Sequence, residues 1–107
     1  MTKILFVCSR NNWRSRTAET IFKNSREIEV KSAGTESSAR IKVNSKLISW
    51  ADIIFAMEKK HKQRIEEKFP AETSGKKIIV LYIPDEYEFM NPELVEMLKS
   101  SVSEYLV

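Results

Sequence analysis

Four short hydrophobic segments of the chain have the pattern of buried β-strands. The first, at residues 3–7, is almost entirely apolar and leads directly into Cys8. Continuous apolar runs of this length are typical of strands that are covered on both faces of a parallel sheet. Three further strands are predicted at residues 27–33, 52–57 and 77–83.

The segments between these strands repeat their apolar residues at helical spacing. An apolar face over residues 15–24 predicts the first helix. The last helix begins at Asn91, a favourable N-cap that is followed by Pro92 at the first helical position, and it closes the chain. Two more helices are predicted at residues 40–50 and 59–69.

Four strands that alternate with four helices predict an α/β fold. We expect a four-stranded, doubly wound parallel sheet with helices on both faces, formed as one domain by residues 1–107. In such sheets ligands bind beyond the carboxyl ends of the strands. The loops at residues 8–15, 32–35 and 84–87 are therefore expected to share one rim.

Composition narrows the functional classes only a little. The chain has 107 residues, a net charge of +3 and one cysteine, with an isoelectric point near 9.0. Its apolar runs are too short to span a bilayer and no basic, then apolar, leader opens it, so a cytoplasmic location and no membrane partner are expected. The positive charge alone does not establish a nucleic-acid partner, which is not expected.

Cys8 and Arg14 are the candidate chemical groups. Five residues separate them, and they lie between a predicted strand and a predicted helix. A loop of this length can curl around a tetrahedral anion, so that backbone N–H groups, the helix N-terminus and a guanidinium converge on it. Such donors favour the thiolate, which is the attacking form of cysteine.

These residues resemble a known family, the low molecular weight protein tyrosine phosphatases. Val7-Cys8-Ser9-Arg10-Asn11-Asn12-Trp13-Arg14-Ser15 is similar to the signature loop of that family, and Ala18-Glu19 follows in its helix. Ser32-Ala33-Gly34-Thr35 resembles the family motif after the second strand, and Asp85-Glu86-Tyr87 its late Asp-Pro-Tyr. The resemblance implies the same four-stranded fold and a short, divergent member of the family.

The resemblance also implies an activity, the hydrolysis of phosphomonoesters such as phosphotyrosine. Cys8 would be the nucleophile that forms a phosphocysteine, Arg14 would bind the equatorial oxygens, and Asp85 would protonate the leaving oxygen and then activate water. The partner would be a phosphorylated protein or a small phosphomonoester, and no cofactor and no metal are implied.

The other implied site residues surround the phosphate. Asn11 would hold the shape of the loop, Ser15 would hydrogen-bond the thiolate, and Tyr87 would line the aryl side of the pocket. Glu58 is expected on the same rim without being the acid, and His61 is expected to be a solvated helix residue. The substrate-binding set is Ser9, Arg10, Asn11, Asn12, Trp13, Ser15 and Tyr87.

Four positions depart from the family pattern. The family usually has Gly at Arg10, a second cysteine at Trp13, Pro at Arg16 and Pro at Glu86. The segment between Thr35 and the second helix is also short. These departures affect the loop geometry and the substrate specificity that the resemblance implies.

Three other functions use a similar fold or a similar loop. An arsenate reductase on the same fold needs a further cysteine, which this chain lacks. A phosphocarrier that passes phosphate from a cysteine to a sugar does not need an arginine at the position of Arg14. A non-catalytic phosphate-binding or nucleic-acid-binding module remains the alternative to the enzyme.

Overall fold

The computed structural model describes residues 1–106, which form four strands and five helices. No helix in this range is both long enough and apolar enough to cross a membrane. The strands are β1 (Thr2–Cys8), β2 (Ile28–Gly34), β3 (Ile53–Ala56) and β4 (Lys77–Val80). The helices are α1 (Arg14–Phe22), α2 (Ser45–Trp50), α3 (Lys59–Lys68), α4 (Pro70–Thr73) and α5 (Pro92–Leu106).

The strands form one parallel sheet in the order β2-β1-β3-β4. Ile4 and Phe6 of β1 point to an apolar cluster that includes residues of α1 and α5. Leu5 and Val7 point to a second cluster that includes residues of α2 and α3. Because β1 is buried on both faces, all four of these side chains are inaccessible to solvent, and the predicted doubly wound fold is confirmed.

The strand order places a ligand-binding position at the end of β1. Within the sheet, β2 lies next to one edge of β1 and β3 lies next to its other edge. Connections that leave in opposite directions open a crevice at the carboxyl ends of the two central strands. Cys8 ends β1 at this crevice, and Glu58 comes two residues after the end of β3.

The second helix begins later than predicted. The structure starts α2 at Ser45, where Asn44 caps the helix by accepting a hydrogen bond from the backbone N–H of Leu47 at 2.8 Å. The residues before it run beside the end of β2 instead. Gly34 donates its N–H to the carbonyl of Ile41 and accepts the N–H of Val43. The prediction of a helix from residue 40 was therefore wrong at its start, because the backbone at 41–43 pairs with Gly34.

The fourth strand ends earlier than predicted. Regular pairing stops at Val80, and Tyr82 adopts a left-handed conformation with φ of 55°. The backbone still follows β3 beyond this kink, since Leu81 and Ile83 donate to the carbonyls of Ala56 and Met57. The sequence pattern also missed the single helical turn α4, which follows α3 directly.

The loop after β1 packs directly on Gly34, which leaves no room for a side chain there. A Cβ atom on Gly34 would lie 2.6 Å from the carbonyl oxygen of Ser9, 2.9 Å from the carbonyl carbon of Arg10 and 2.7 Å from Ala39 Cβ. We expect Gly34→Ala to lower the free energy of unfolding by about 1–3 kcal/mol, the usual cost of overpacking. Denaturant unfolding measures this loss.

The control is a second substitution at Ala39. Gly34→Ala combined with Ala39→Gly removes the side-chain contact but leaves the two backbone contacts. The double variant should therefore stay destabilised. Recovery of wild-type stability would show that the loop backbone does not constrain Gly34.

Candidate active site

The loop between β1 and α1 surrounds a cavity of about 320 Å³. Its walls come from every residue between Cys8 and Arg14 except Asn11, and from Glu36, Lys60 and Asp85. The loop thus brings together most of the site residues that the sequence predicted. Glu36 and Lys60 also line the cavity, and they were not predicted from the sequence because neither belongs to a motif.

Asn11 shapes the loop from beneath. It adopts a left-handed conformation with φ of 59°, which Asn tolerates better than most residues. Its side chain is fully buried, and Nδ2 donates to Ser15 Oγ at 2.7 Å. Its backbone N–H donates to Cys8 Sγ at 3.2 Å, so the turn aims a donor at the sulfur.

The hydroxyl group of Ser15 also contacts the sulfur. Its hydroxyl oxygen lies 3.0 Å from Cys8 Sγ. Asn11 Nδ2 donates to this oxygen, and the acceptors within reach of the hydroxyl hydrogen are the sulfur and, at 3.4 Å, the carbonyl oxygen of Ala33. No side chain caps the start of α1, so its first N–H groups are not bonded to a capping side chain. The N–H of Asn11 and the hydroxyl of Ser15 are thus both placed to donate hydrogen bonds to Cys8 Sγ.

Arg14 is a buried cation that is anchored through one nitrogen. Its Nη1 donates to Glu58 Oε2 at 2.5 Å and to the carbonyl oxygen of Ile83 at 2.7 Å. Its Nε lies 3.8 Å from Asp85 Oδ1, beyond hydrogen-bonding distance. The edge formed by Nε and Nη2 therefore makes no hydrogen bond within residues 1–106 and is available to two oxygens of an anion.

Glu58 neutralises the guanidinium. Burial raises the pKa of Glu58, but the hydrogen bond and the positive charge of Arg14 outweigh burial and lower the pKa below its usual value. Glu58 is therefore ionised at neutral pH. A buried cation that is paired in this way avoids most of the cost of an uncompensated charge.

Asp85 differs from Glu58 in its access to the cavity. The Asp85 side chain is 59% exposed and forms part of the cavity wall. It makes no hydrogen bond within residues 1–106, whereas an oxygen of Glu58 is taken by Arg14. Of the two carboxyl groups in the cavity wall, Glu36 is hydrogen-bonded to Arg10, whereas Asp85 has no hydrogen bond within the described residues.

His61 is not the solvated helix residue that was expected. It is fully buried, and its Nδ1 accepts the backbone N–H of Glu58 at 3.0 Å. Its Nε2 lies 2.9 Å from Ser9 Oγ in the loop. Burial, followed by the charge of Arg14, lowers the pKa of His61 to about 4. The charged sequence of α3 gave no signal of this burial.

The resemblance places Tyr87 at the aryl side of the pocket. It packs against the apolar cluster between the sheet and α5 and is not part of the cavity wall. A hydrogen bond with Glu93 raises the pKa of its phenol. The aromatic side chain of the cavity is instead Trp13, which is 43% exposed.

The remaining cavity wall is charged and exposed. Arg10, 69% exposed, places its Nε 3.2 Å from Glu36 Oε2, and Asn12 and Lys60 are also exposed. Within the described chain, no group of three His, Cys, Asp or Glu side chains is arranged to hold a metal ion.

Comparison with known protein families supports the resemblance seen in the sequence. The model for the low molecular weight phosphotyrosine protein phosphatase family matches residues 3–49, which include the loop and its supporting strand. No curated protein sequence matches the chain.

Solved structures share the whole fold at low sequence identity. A low molecular weight protein tyrosine phosphatase from Streptococcus pyogenes has a TM-score of 0.82 and 18% identity, and the alignment covers 99% of this chain and 91% of that chain. The YwlE arginine phosphatase from Geobacillus stearothermophilus has a TM-score of 0.74 and 23% identity, covering 99% and 93%. A YwlE mutant from Bacillus subtilis has a TM-score of 0.73 and 23% identity, covering all of both chains. The resemblance to the low molecular weight phosphatases is therefore confirmed, with a family match confined to part of the chain.

The lowered pKa of His61 makes the stability of the protein depend on pH. A histidine with a pKa near 4 in the folded state and about 6.5 in the unfolded state binds more protons when unfolded across this interval. Stability should therefore fall by about 2 to 3 kcal/mol between pH 6.5 and 4.5. The contribution of Glu58 is lost at lower pH, because its pKa is below 4.5.

The measurement is denaturant unfolding at several pH values, with His61→Asn as the control. Asn does not titrate in this range, so the variant should lose less stability than the wild type as the pH falls. Equal losses for the two proteins would contradict the assignment of a buried neutral imidazole.

Proposed function

We propose that the chain is a cysteine-dependent phosphatase that hydrolyses phosphomonoesters. The observation that carries this proposal is the placement of Cys8 in the same cavity as the unbonded edge of Arg14. A nucleophile beneath a site for oxyanions is the arrangement that phosphoryl transfer to a side chain requires. The family match over the loop supports the same chemistry.

In the first step, the Cys8 thiolate attacks phosphorus. The S–P bond forms while the P–O bond to the leaving group breaks, and the Asp85 carboxylic acid gives its proton to the departing oxygen. Arg14 and the loop N–H groups bind the three equatorial oxygens, whose charge they compensate in the transition state. The product is a phosphocysteine.

In the second step, water cleaves the phosphocysteine. The Asp85 carboxylate takes a proton from a water molecule, whose oxygen attacks phosphorus as the S–P bond breaks. Inorganic phosphate leaves and the Cys8 thiolate is restored. The donors from Asn11 and Ser15 stabilise the thiolate as a leaving group, which lowers the barrier to this step.

The substrate that we propose is an aryl phosphate such as phosphotyrosine. Trp13 supports it, because this exposed aromatic side chain lines the cavity and can pack against an aryl ring. The acidic side chains of Glu36 and Asp85 at the same cavity would suit a cationic group, and a solved structure of similar fold is an arginine phosphatase. Turnover of matched peptides containing phosphotyrosine or phosphoarginine would decide between the two.

Cys8→Ser tests the enzyme against a module that only binds phosphate. The purified protein should hydrolyse p-nitrophenyl phosphate, and the variant should lose this activity, because an alcohol in place of the thiol is a much weaker nucleophile. A wild-type protein that binds phosphate without turnover would favour the binding module.

Asp85 and Glu58 should respond differently to the leaving group. General acid catalysis matters most when the departing oxygen is basic. Asp85→Asn should therefore lower the rate of phenyl phosphate hydrolysis by about a hundredfold or more, and the rate of p-nitrophenyl phosphate hydrolysis much less. Glu58→Gln should have a smaller effect that is similar for both substrates, because it acts through Arg14.

Single-turnover and steady-state rates with the two substrates measure this difference. A stronger leaving-group dependence in Glu58→Gln than in Asp85→Asn would reverse the assignment of the acid.

A further inference from the structure

The contact between His61 and Ser9 connects helix α3 to the loop that surrounds the cavity. Ser9 Oγ lies 2.9 Å from His61 Nε2, and both side chains are buried, with 8% and 0% of their surfaces exposed. Neither side chain takes part in the two chemical steps described above. Their hydrogen bonds nevertheless determine where the Ser9 hydroxyl hydrogen can go.

The tautomer of His61 follows from its other contact. The backbone N–H of Glu58 donates to Nδ1, so this nitrogen carries no hydrogen. A neutral imidazole must then carry its hydrogen on Nε2, which donates it to Ser9 Oγ. The neutral state is maintained by burial and by the surrounding charges of Arg14, Lys60 and Arg64, which outweigh the attraction of Glu58.

Ser9 is consequently left with a hydroxyl hydrogen to donate. His61 occupies one acceptor position of the oxygen, and no acceptor for the hydroxyl hydrogen is found within residues 1–106. Ser9 lines the cavity, which is the place from which an acceptor can arrive. A buried hydroxyl gains most from a hydrogen bond to a charged oxygen.

We propose that His61 is a positioning residue that orients the Ser9 hydroxyl toward the cavity, where Ser9 donates a hydrogen bond to an oxygen of the bound phosphoryl group. Ser9 thereby adds a side-chain donor to the backbone donors of the loop. The inference rests on the proposed function, because a phosphoryl oxygen is the acceptor. It names a binding contact that can be measured without turnover.

The experiment measures how well inorganic phosphate protects Cys8 from alkylation by iodoacetamide. Ser9→Ala should raise the phosphate concentration for half protection by about tenfold, the value of one hydrogen bond to a charged group. His61→Asn should raise it similarly. Asn can still accept the Glu58 N–H with its side-chain oxygen, but its side chain is too short to reach Ser9.

The double variant separates positioning from a general structural role. If His61 acts through Ser9, then Ser9→Ala combined with His61→Asn should bind phosphate no more weakly than Ser9→Ala alone. The double variant should still be less stable than Ser9→Ala, because the imidazole packing is lost. Additive losses of phosphate affinity would overturn the proposal, as would unchanged protection in Ser9→Ala.

His61→Gln provides a second variant if His61→Asn does not fold. Its longer amide can donate to Ser9, so phosphate protection should lie closer to the wild type than to Ser9→Ala. Protection as weak as in Ser9→Ala would count against the proposal. If the wild type shows phosphate protection but no hydrolysis, the proposed function fails while this contact remains testable.

Discussion

The pairing of Arg14 with Glu58 and the carbonyl of Ile83 holds the candidate site together. Arg14 begins α1, Glu58 follows β3, and Ile83 lies beyond the end of β4. One buried guanidinium thus connects three segments at the carboxyl end of the sheet. Because a buried charge without partners is costly, any rearrangement that separates these segments is opposed. The same contacts leave the other edge of the guanidinium for a ligand.

A second group of contacts supports the loop from its outer side. Gly34 leaves room for the carbonyl of Ser9, and the backbone N–H groups of Thr35 and Glu36 donate to the carbonyls of Cys8 and Ser9. The carbonyls of this part of the loop are therefore turned away from the cavity. These backbone contacts hold the loop in its conformation within the protein itself.

The sequence predicted the sheet well because its strands are buried on both faces. A continuous apolar run such as the one before Cys8 has few other structural interpretations in a chain of this size. The start of α2 was not predictable from apolar spacing, since the pairing of residues 41–43 with Gly34 is a contact between distant segments. Local patterns contain no information about such contacts.

The candidate site was likewise predictable from the sequence only in part. Cys8, Arg14 and Asp85 could be placed together because they follow strands whose ends meet at one edge of the sheet. The positions of His61 and Tyr87 depended on how α3 and the segment before α5 pack, which neither motif nor periodicity describes. A polar residue in a charged helix is usually exposed, so the burial of His61 required the structure.

The loop contains the only thiol in the chain. Where a second cysteine stands nearby, it can convert a sulfenic acid into a disulfide before further oxygen is added. Here Trp13 stands in the loop position where the resembled family usually has that cysteine. An oxidised Cys8 in one molecule has no internal thiol partner. Recovery from oxidants therefore depends on small thiols or other proteins in the surroundings, which makes the protein sensitive to the reducing capacity of its compartment.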